Sequence, residues 1–238
     1  MPRILAMADL HLSLDGSKPM DRFGDLWIDH ARRMAEYWDD AVTAEDTVLL
    51  AGDLSWARNL SRASADLDWI GQRPGHKILL KGNHDSWWGG IGKLRETLPA
   101  SCEALHNDAI EVGPWGVVGA RGWLAPDDPI ATTADARVWH REIERLQASI
   151  ADARKRFDAT RPLIAMLHYP PWLLGREPTE LFTLLEQAGV SICVYGHLHG
   201  DDHRYAVRGV HRSMEFHFVA VDAIGFAPVP LVHYDEAT

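Results

Sequence analysis

Short, predominantly apolar runs recur along the chain and are separated by longer segments of mixed polarity. Runs of this length are typical of strands that are covered on both faces of a sheet. Five of them predict five buried strands: ILAMA at 4–8, TVLLA at 47–51, KILLK at 77–81, PLIAML at 162–167 and SICVY at 191–195.

Several of the intervening segments carry apolar residues at helical spacing, which predicts amphipathic helices. One contains Trp27, Ala31, Met34, Trp38 and Ala41. Another, with Asp135 as its predicted cap, contains Trp139, Ile143, Leu146, Ile150, Ala153 and Phe157. Shorter helices are predicted near residues 61–71, 90–98 and 178–188.

The alternation of strand and helix predicts an α/β fold with helices packed outside a layered sheet. Closely spaced strand-like runs at 109–120 and 203–234, with glycine and proline between them, predict antiparallel hairpins beside the main sheet. Neither an internal repeat nor a linker is evident, so we expect residues 1–238 to form one domain.

Charge and composition exclude several classes of protein. Acidic side chains outnumber basic ones by 34 to 24, and the resulting net charge of −10 disfavours non-specific binding to nucleic acid. No apolar run approaches the roughly 18 residues of a membrane span, and the amino terminus is interpreted as a strand rather than a signal peptide. Cys102 and Cys193 do not have metal-like spacing, and we expect buried thiols in a reducing cytoplasm.

Residue types that bind metals follow directly after each of the five apolar runs. Ligands in α/β sheets bind beyond the carboxyl ends of strands, so these side chains are expected to converge. If the extended backbone continues past the strand, residues two apart also face the same way. The five groups are Asp9-Leu-His11, Gly52-Asp53, Gly82-Asn83-His84-Asp85, His168 and Gly196-His197-Leu-His199.

The groups differ in how specifically each one, taken alone, indicates a metal site. Asp-x-His and Gly-Asp are common as turns and caps, whereas chance produces Gly-Asn-His-Asp in roughly one in a thousand sequences of this composition. The segment from His197 to His203 looks like the signature of metallo-β-lactamase-type hydrolases, but it is one residue too long and comes late in the chain. That alternative would also leave the other four groups unexplained.

In this order, the groups resemble the calcineurin-like metallophosphoesterase superfamily, and in particular its small bacterial phosphohydrolases. The resemblance spans residues 9–199 and implies a four-layer αββα sandwich of two mixed β-sheets flanked by helices. It also implies two metal ions, with Asp53 as the ligand they share. Carried over by position, the ligands of the first ion are Asp9, His11, Asp53 and His199, and those of the second are Asp53, Asn83, His168 and His197.

The resemblance further implies a phosphoesterase reaction. A hydroxide held between the two ions attacks phosphorus, and His84, which is not a ligand, protonates the leaving oxygen as general acid. Mixed histidine and carboxylate ligands without cysteine suit manganese, our first choice, or iron or zinc. We expect a small phosphorylated substrate and no membrane partner.

Departures from named subfamilies narrow the substrate. Trp56 stands where the protein Ser/Thr phosphatases have a second Asp, and His84 stands where the UDP-diacylglucosamine pyrophosphohydrolases have Arg. A phosphodiester is therefore predicted, with a phosphomonoester of a small metabolite as the alternative. A non-enzymatic, metal-holding interaction module is the alternative from a different class of function. The sequence leaves the oligomeric state open.

Two further features suggest how substrate is held. Four tryptophans lie just beyond the motifs and are predicted to rim the site, which would favour a nucleotide substrate through stacking. They are Trp56, Trp87, Trp88 and Trp172. Arg121 is predicted to clamp the phosphate, because a guanidinium group can donate to two oxygens at once.

Overall fold

The protein is described here by a computed structural model covering residues 1–235, so the last three residues of the predicted domain lie outside the described range. Its strands are β1 (Arg3–Met7), β2 (Thr47–Leu50), β3 (His76–Leu79), β4 (Cys102–Ala104), β5 (Ile110–Val112), β6 (Trp115–Ala120), β7 (Leu163–Leu167), β8 (Val190–Tyr195), β9 (Gly209–His211), β10 (Met214–Phe218) and β11 (Val229–His233). Its helices are α1 (His30–Ala41), α2 (Leu60–Gln72), α3 (Ile91–Thr97), α4 (Thr133–Arg156) and α5 (Glu180–Gln187), and 3₁₀ turns occur at Met20–Phe23, Asp25–Trp27 and Gly200–Tyr205.

The strands form two mixed sheets. One has the order β11-β1-β2-β3-β4, in which only β11 runs antiparallel to its neighbour. The other has the order β5-β6-β7-β8-β10-β9, in which the four central strands are parallel and both edge strands are antiparallel. Each of the five predicted strands therefore runs parallel to a neighbour in its sheet, so that its carboxyl end lies beside the carboxyl end of that neighbour.

Alternation along the strands divides the core into layers. Ile4 and Ala6 of β1 pack with Ile164 and Met166 of β7 in the cluster between the two sheets. The alternate residues of β1 face outward into a second cluster that includes side chains of α1, α2 and α3. A third cluster joins the outer face of the second sheet to α4 and α5. This arrangement confirms the predicted αββα sandwich.

Local boundaries differ from the sequence-based expectations in three places. Helix α1 starts at His30, because left-handed backbone at Asp29 separates it from the 3₁₀ turn that contains Trp27. The cap of α4 is Thr132, whose backbone N–H donates to Asp135 one turn later at 2.8 Å. The region 203–234 gives the hairpin β9–β10, but its last strand crosses to the other sheet and pairs with β1.

No helix within residues 1–235 is both long enough and apolar enough to cross a membrane.

Candidate metal centre

The predicted ligands all lie in the loops that follow parallel strands. Asp9 and His11 follow β1, Asp53 follows β2 and Asn83 follows β3. His168 comes directly after β7, and β8 is followed by His197 and His199. The two sheets present these ends side by side: His168 Nδ1 lies 3.0 Å from the carbonyl oxygen of Ala51, and the backbone N–H of His197 donates to Asp9 Oδ2 at 3.0 Å.

The backbone at this edge is not extended, which corrects the expectation that strand alternation aims the ligands. Asp9, His11, Asp53 and His197 have φ values of 63°, 47°, 54° and 73°, in the left-handed region that non-glycine residues seldom adopt. Strained backbone of this kind persists where the surrounding structure fixes it, often at functional sites. Tight left-handed turns, rather than continued strands, bring these side chains together.

Glycine and a buried carboxylate hold the loops at this spacing. A Cβ atom on Gly82 would collide with the carboxylate of Asp53, and one on Gly196 would collide with that of Asp9. The buried Asp85 accepts hydrogen bonds from the backbone N–H groups of Leu54 at 2.9 Å and Gly82 at 2.7 Å. Asp85 thus ties the loop after β2 to the loop after β3.

The ligand atoms form two overlapping groups. In the first, His199 Nε2 lies 3.2 Å from His11 Nε2 and 3.5 Å from Asp9 Oδ1. In the second, His168 Nε2 lies 2.8 Å from Asn83 Oδ1 and 3.4 Å from Asp53 Oδ2. Because Asp53 Oδ2 is also 3.9 Å from His11 Nε2, its carboxylate lies between the two groups.

His197 and His84 flank these groups. The ring of His197 packs against His168, with centroids 5.1 Å apart, and against Tyr169 at 3.8 Å. The backbone N–H of His84 donates to Asp53 Oδ1 at 2.8 Å, while its side chain is 43% exposed and its Nε2 is 3.9 Å from Asp53 Oδ2. The structure therefore brings all seven predicted ligands and the predicted general acid to one edge.

Electrostatics at this edge favour a cation. Burial opposes charge on His168, yet Asp53 and other acceptors raise its pKa to about 9, and Asp222 helps to raise that of His199 to about 10 despite burial. Burial also opposes the charge of Asp53, but the neighbouring imidazoles keep its pKa well below its usual value. Burial dominates at two other ligands: it lowers the pKa of His197 to about 3 and that of His11 well below its usual value, although Asp53 opposes both shifts.

One buried atom shows directly that this donor set fits a metal ion. Asp9 Oδ1 is buried and has no hydrogen-bond partner within the described chain, although a buried carboxylate oxygen without a partner is costly. His11 and His199 lie close enough to Asp9 for the three residues to bind one ion. An ion bound by Asp9, His11 and His199 would satisfy this oxygen, and nitrogen and carboxylate ligands suit a transition metal.

Comparison with known families agrees with this geometry. A profile described as calcineurin-like phosphoesterase matches residues 2–201, which is most of the chain. The chain belongs to the calcineurin-like phosphoesterase family. Membership confirms the resemblance predicted from the motifs.

Two curated relatives of this family member match only part of the chain. It is 36% identical over 78 residues to the Gene 66 protein of Mycobacterium phage L5, and 44% identical over 57 residues to that of Mycobacterium phage D29. These matches cover 33% and 24% of the chain, and 37% and 28% of the phage proteins, so the chain matches only about a third of its curated relatives' length.

Two solved structures share the fold along almost the whole chain. Phosphopantetheinyl hydrolase (PptH) from Mycobacterium tuberculosis aligns with a TM-score of 0.57 at 13% identity, covering 100% of this chain and 98% of that one. The protein of unknown function AQ665 from Aquifex aeolicus aligns with a TM-score of 0.52 at 14% identity, covering 97% and 96%.

Asp222 is a residue of the site that sequence reasoning missed. Its Oδ1 lies 3.0 Å from His199 Nδ1, and its Oδ2 lies 3.1 Å from His203 Nε2. A carboxylate on the far nitrogen of a ligand histidine fixes the ring and its tautomer. The sequence does carry a signal for Asp222. Like the other site residues, it directly follows an apolar run, here on the carboxyl side of β10.

Asp222→Asn is expected to weaken metal binding by this family member about 10- to 100-fold, because the amide cannot support the imidazole as a carboxylate does. Metal titration followed by calorimetry checks it. Asp202→Asn, on the neighbouring 3₁₀ turn, is the matched control and should leave affinity unchanged. Equal affinities for all three proteins would contradict the positioning role of Asp222.

Two cavities with different walls open beside the ligands. The first, of about 520 Å³, is called the Trp27–Trp56 cavity, and its walls include His11, Lys18, Trp27, Trp56, His84 and His199. The second, of about 270 Å³, is called the Trp123–Trp172 cavity, and its walls include Trp123, Tyr169, Trp172, Arg176, His197 and Tyr205. Each cavity thus shares at least one predicted ligand with the metal centre.

Trp87 and Trp88 do not form the predicted rim. They are 1% and 5% exposed and belong to the hydrophobic cluster under the first sheet. The indole N–H of Trp87 donates to Asp85 at 2.9 Å, so this side chain supports the loop from inside. Of the four tryptophans singled out from the sequence, Trp56 and Trp172 line the cavities.

The side chain of Arg121 is engaged by a buried carboxylate. Its guanidinium group donates to the buried Glu142 at 2.9 Å and stacks over Trp123 at 4.3 Å. Its backbone carbonyl accepts hydrogen bonds from the N–H groups of His168 and Tyr169. Because its side chain is committed to Glu142, Arg121 supports the second sheet rather than forming the predicted phosphate clamp.

Trp87→Ala is expected to destabilise the fold by about 3–5 kcal/mol, the usual cost of removing a large buried aromatic side chain. The Michaelis constant of the folded fraction should not change. Denaturant unfolding and substrate titration together check both statements. A variant with full stability and a raised Michaelis constant would instead indicate that Trp87 contacts the substrate.

Proposed function

We propose that this protein is a metal-dependent phosphohydrolase that cleaves a phosphate ester at the edge shared by the two sheets. The observation that carries the proposal is the position of Asp53, whose carboxylate lies between two groups of metal-ligand atoms. Asp9, His11, Asp53 and His199 would hold one ion. Asp53, Asn83, His168 and His197 would hold the other, and manganese is our first choice for both.

When bound, a pair of ions supplies an activated water as nucleophile and neutralises the phosphoryl charge. The chain's own contribution on the leaving-group side is His84, which we propose as general acid. Its backbone is fixed by Asp53, and its ring is exposed on the cavity wall. Burial lowers the pKa of His84 while Asp53 opposes this, and an anionic phosphoryl group beside the ring would further favour its protonated form.

A phosphodiester is the substrate class that the two cavities support. The Trp27–Trp56 cavity reaches His84 and His199, whereas the Trp123–Trp172 cavity reaches His197. A diester carries two organic groups on one phosphorus, and each would have its own cavity. A monoester of a small metabolite would use one cavity only, and it is the second candidate substrate class.

A nucleotide diester is our specific proposal, since both cavities have tryptophan walls. Stacking of a base on an aromatic side chain is worth about 1–3 kcal/mol.

Two unpaired thiols, Cys102 and Cys193, support a cytoplasmic location.

Hydrolysis of bis(p-nitrophenyl) phosphate by manganese-loaded protein tests the proposal. The diester should be cleaved faster than p-nitrophenyl phosphate, and a chelator should abolish both activities. Metal binding without turnover of either ester, or of a panel of nucleotide esters, would favour the metal-holding interaction module instead.

A further inference from the structure

The Trp27–Trp56 cavity has walls that are mostly apolar. They are built largely by the segment between β1 and α1, whose two 3₁₀ turns present Met20, Phe23, Leu26 and Trp27. Phe23 and Leu26 are 58% and 52% exposed at its mouth. A large, exposed apolar surface that is continuous with polar catalytic groups marks a binding site for an apolar group.

Aromatic stacking connects this cavity to the reacting atoms. The indole of Trp56 is stacked on the ring of His11, with centroids 4.8 Å apart and 17° between planes. The same indole also contacts the ring of His84, with centroids 4.2 Å apart and 47° between planes. Because His84 is the proposed proton donor to the leaving oxygen, the leaving group must extend from His84 into this cavity.

Lys18 contributes a positive charge to this wall, whose polar members also include His11, His84, His199 and Asp222. Its Nζ lies 3.0 Å from the centre of the Trp56 ring and 5.5 Å from that of Phe23. The side chain is half-buried, and burial together with Arg22 lowers the pKa of its ammonium group. None of the salt bridges found within residues 1–235 includes Lys18, so its charge is available to a ligand.

We propose that the Trp27–Trp56 cavity binds an alcohol portion of the substrate that is planar and apolar and carries an anionic group, with the aromatic and apolar side chains of the wall contacting this portion and Lys18 the anion. The identification of this portion as the leaving group rests on the proposed function. The chemistry is that of an aryl alcohol bearing a carboxylate, or of a nucleoside bearing a second phosphate. Planar shape and negative charge together are what an indole beside an ammonium group recognises.

Binding of three alcohols to the metal-loaded full chain tests the assignment by calorimetry. The probes are 6-hydroxy-2-naphthoate, the uncharged 2-naphthol, and 6-hydroxyhexanoate, which has the charge but no ring. The naphthoate should bind most tightly. Lys18→Met should weaken naphthoate binding about 10- to 100-fold, as expected for a lost hydrogen bond to a charged group, and should leave 2-naphthol binding unchanged.

Arg22→Met is the matched control, because Arg22 is a nearby exposed cation that is not on the wall of this cavity. Lys18→Arg should retain the preference for naphthoate. Equal effects of Lys18→Met and Arg22→Met, or equal affinities of the wild-type protein for all three alcohols, would overturn the assignment.

Hydrolysis of the corresponding symmetrical naphthyl phosphodiesters separates this assignment from the proposed function. Turnover of both diesters at equal efficiency, unaffected by Lys18→Met, would overturn the assignment alone. The predicted binding preference without turnover of either diester would support the ligand class and overturn the proposed reaction.

Discussion

Replacing Asp53 with Asn is expected to remove more bound metal than any other single change at the site. Asp53 Oδ2 lies 3.4 Å from His168 Nε2 and 3.9 Å from His11 Nε2, so its carboxylate faces both ligand groups. The amide is neutral and offers one good acceptor oxygen. The loss should exceed the roughly 10- to 100-fold cost of removing an outer supporting residue, and hydrolysis should fall with it.

Elemental analysis of the purified variant measures this effect. Asp46→Asn is the control, because Asp46 is also a buried carboxylate but pairs with Arg3 at the opposite end of the strands. That variant should lose stability and keep its metal. Full metal content in Asp53→Asn would contradict a ligand shared by both ions.

His84→Ala should leave the metal content intact and slow cleavage of esters with basic leaving groups about 10²- to 10⁴-fold, the usual contribution of a general acid. The His84 ring is exposed on the cavity wall and stands 3.9 Å from Asp53, so its loss removes a proton donor without removing a predicted ligand. Activated aryl esters should be affected less, because their leaving oxygen needs little protonation.

This prediction is checked by the rates of hydrolysis of an alkyl ester and a p-nitrophenyl ester that carry the same phosphoryl group. The metal content of the variant is measured in parallel. His76→Ala is the control, since His76 is exposed at the amino end of β3. Equal losses for both leaving groups, or loss of metal, would rule out His84 as general acid.

The fold and the convergence of the predicted ligands could be predicted because both depend on local patterns. Short apolar runs specified parallel strands, and polar residues after each run had to meet where those strands end. Asp9, Asp53 and His168 illustrate this, since each follows a different strand and all three lie within one small group. The order of the motifs, rather than any one of them, identified the family.

Other features depend on tertiary packing and could not be predicted. Left-handed backbone at Asp9 and Asp53 replaces the extended geometry that strand alternation assumes. Trp87 and Trp56 are both tryptophans just after a motif, yet the former is buried under the sheet and the latter lines a cavity. Asp222 contacts His199 from 23 residues away, a relation visible only in three dimensions.

Anomalous diffraction from crystals of the manganese-loaded protein tests the central claim most directly. Two peaks are predicted, about 3.5–4 Å apart as in other two-metal sites, with Asp53 between them. One should lie beside Asp9, His11 and His199, and the other beside Asn83 and His168. A single peak, or a peak held by His203 and Asp222 instead, would contradict the binuclear centre.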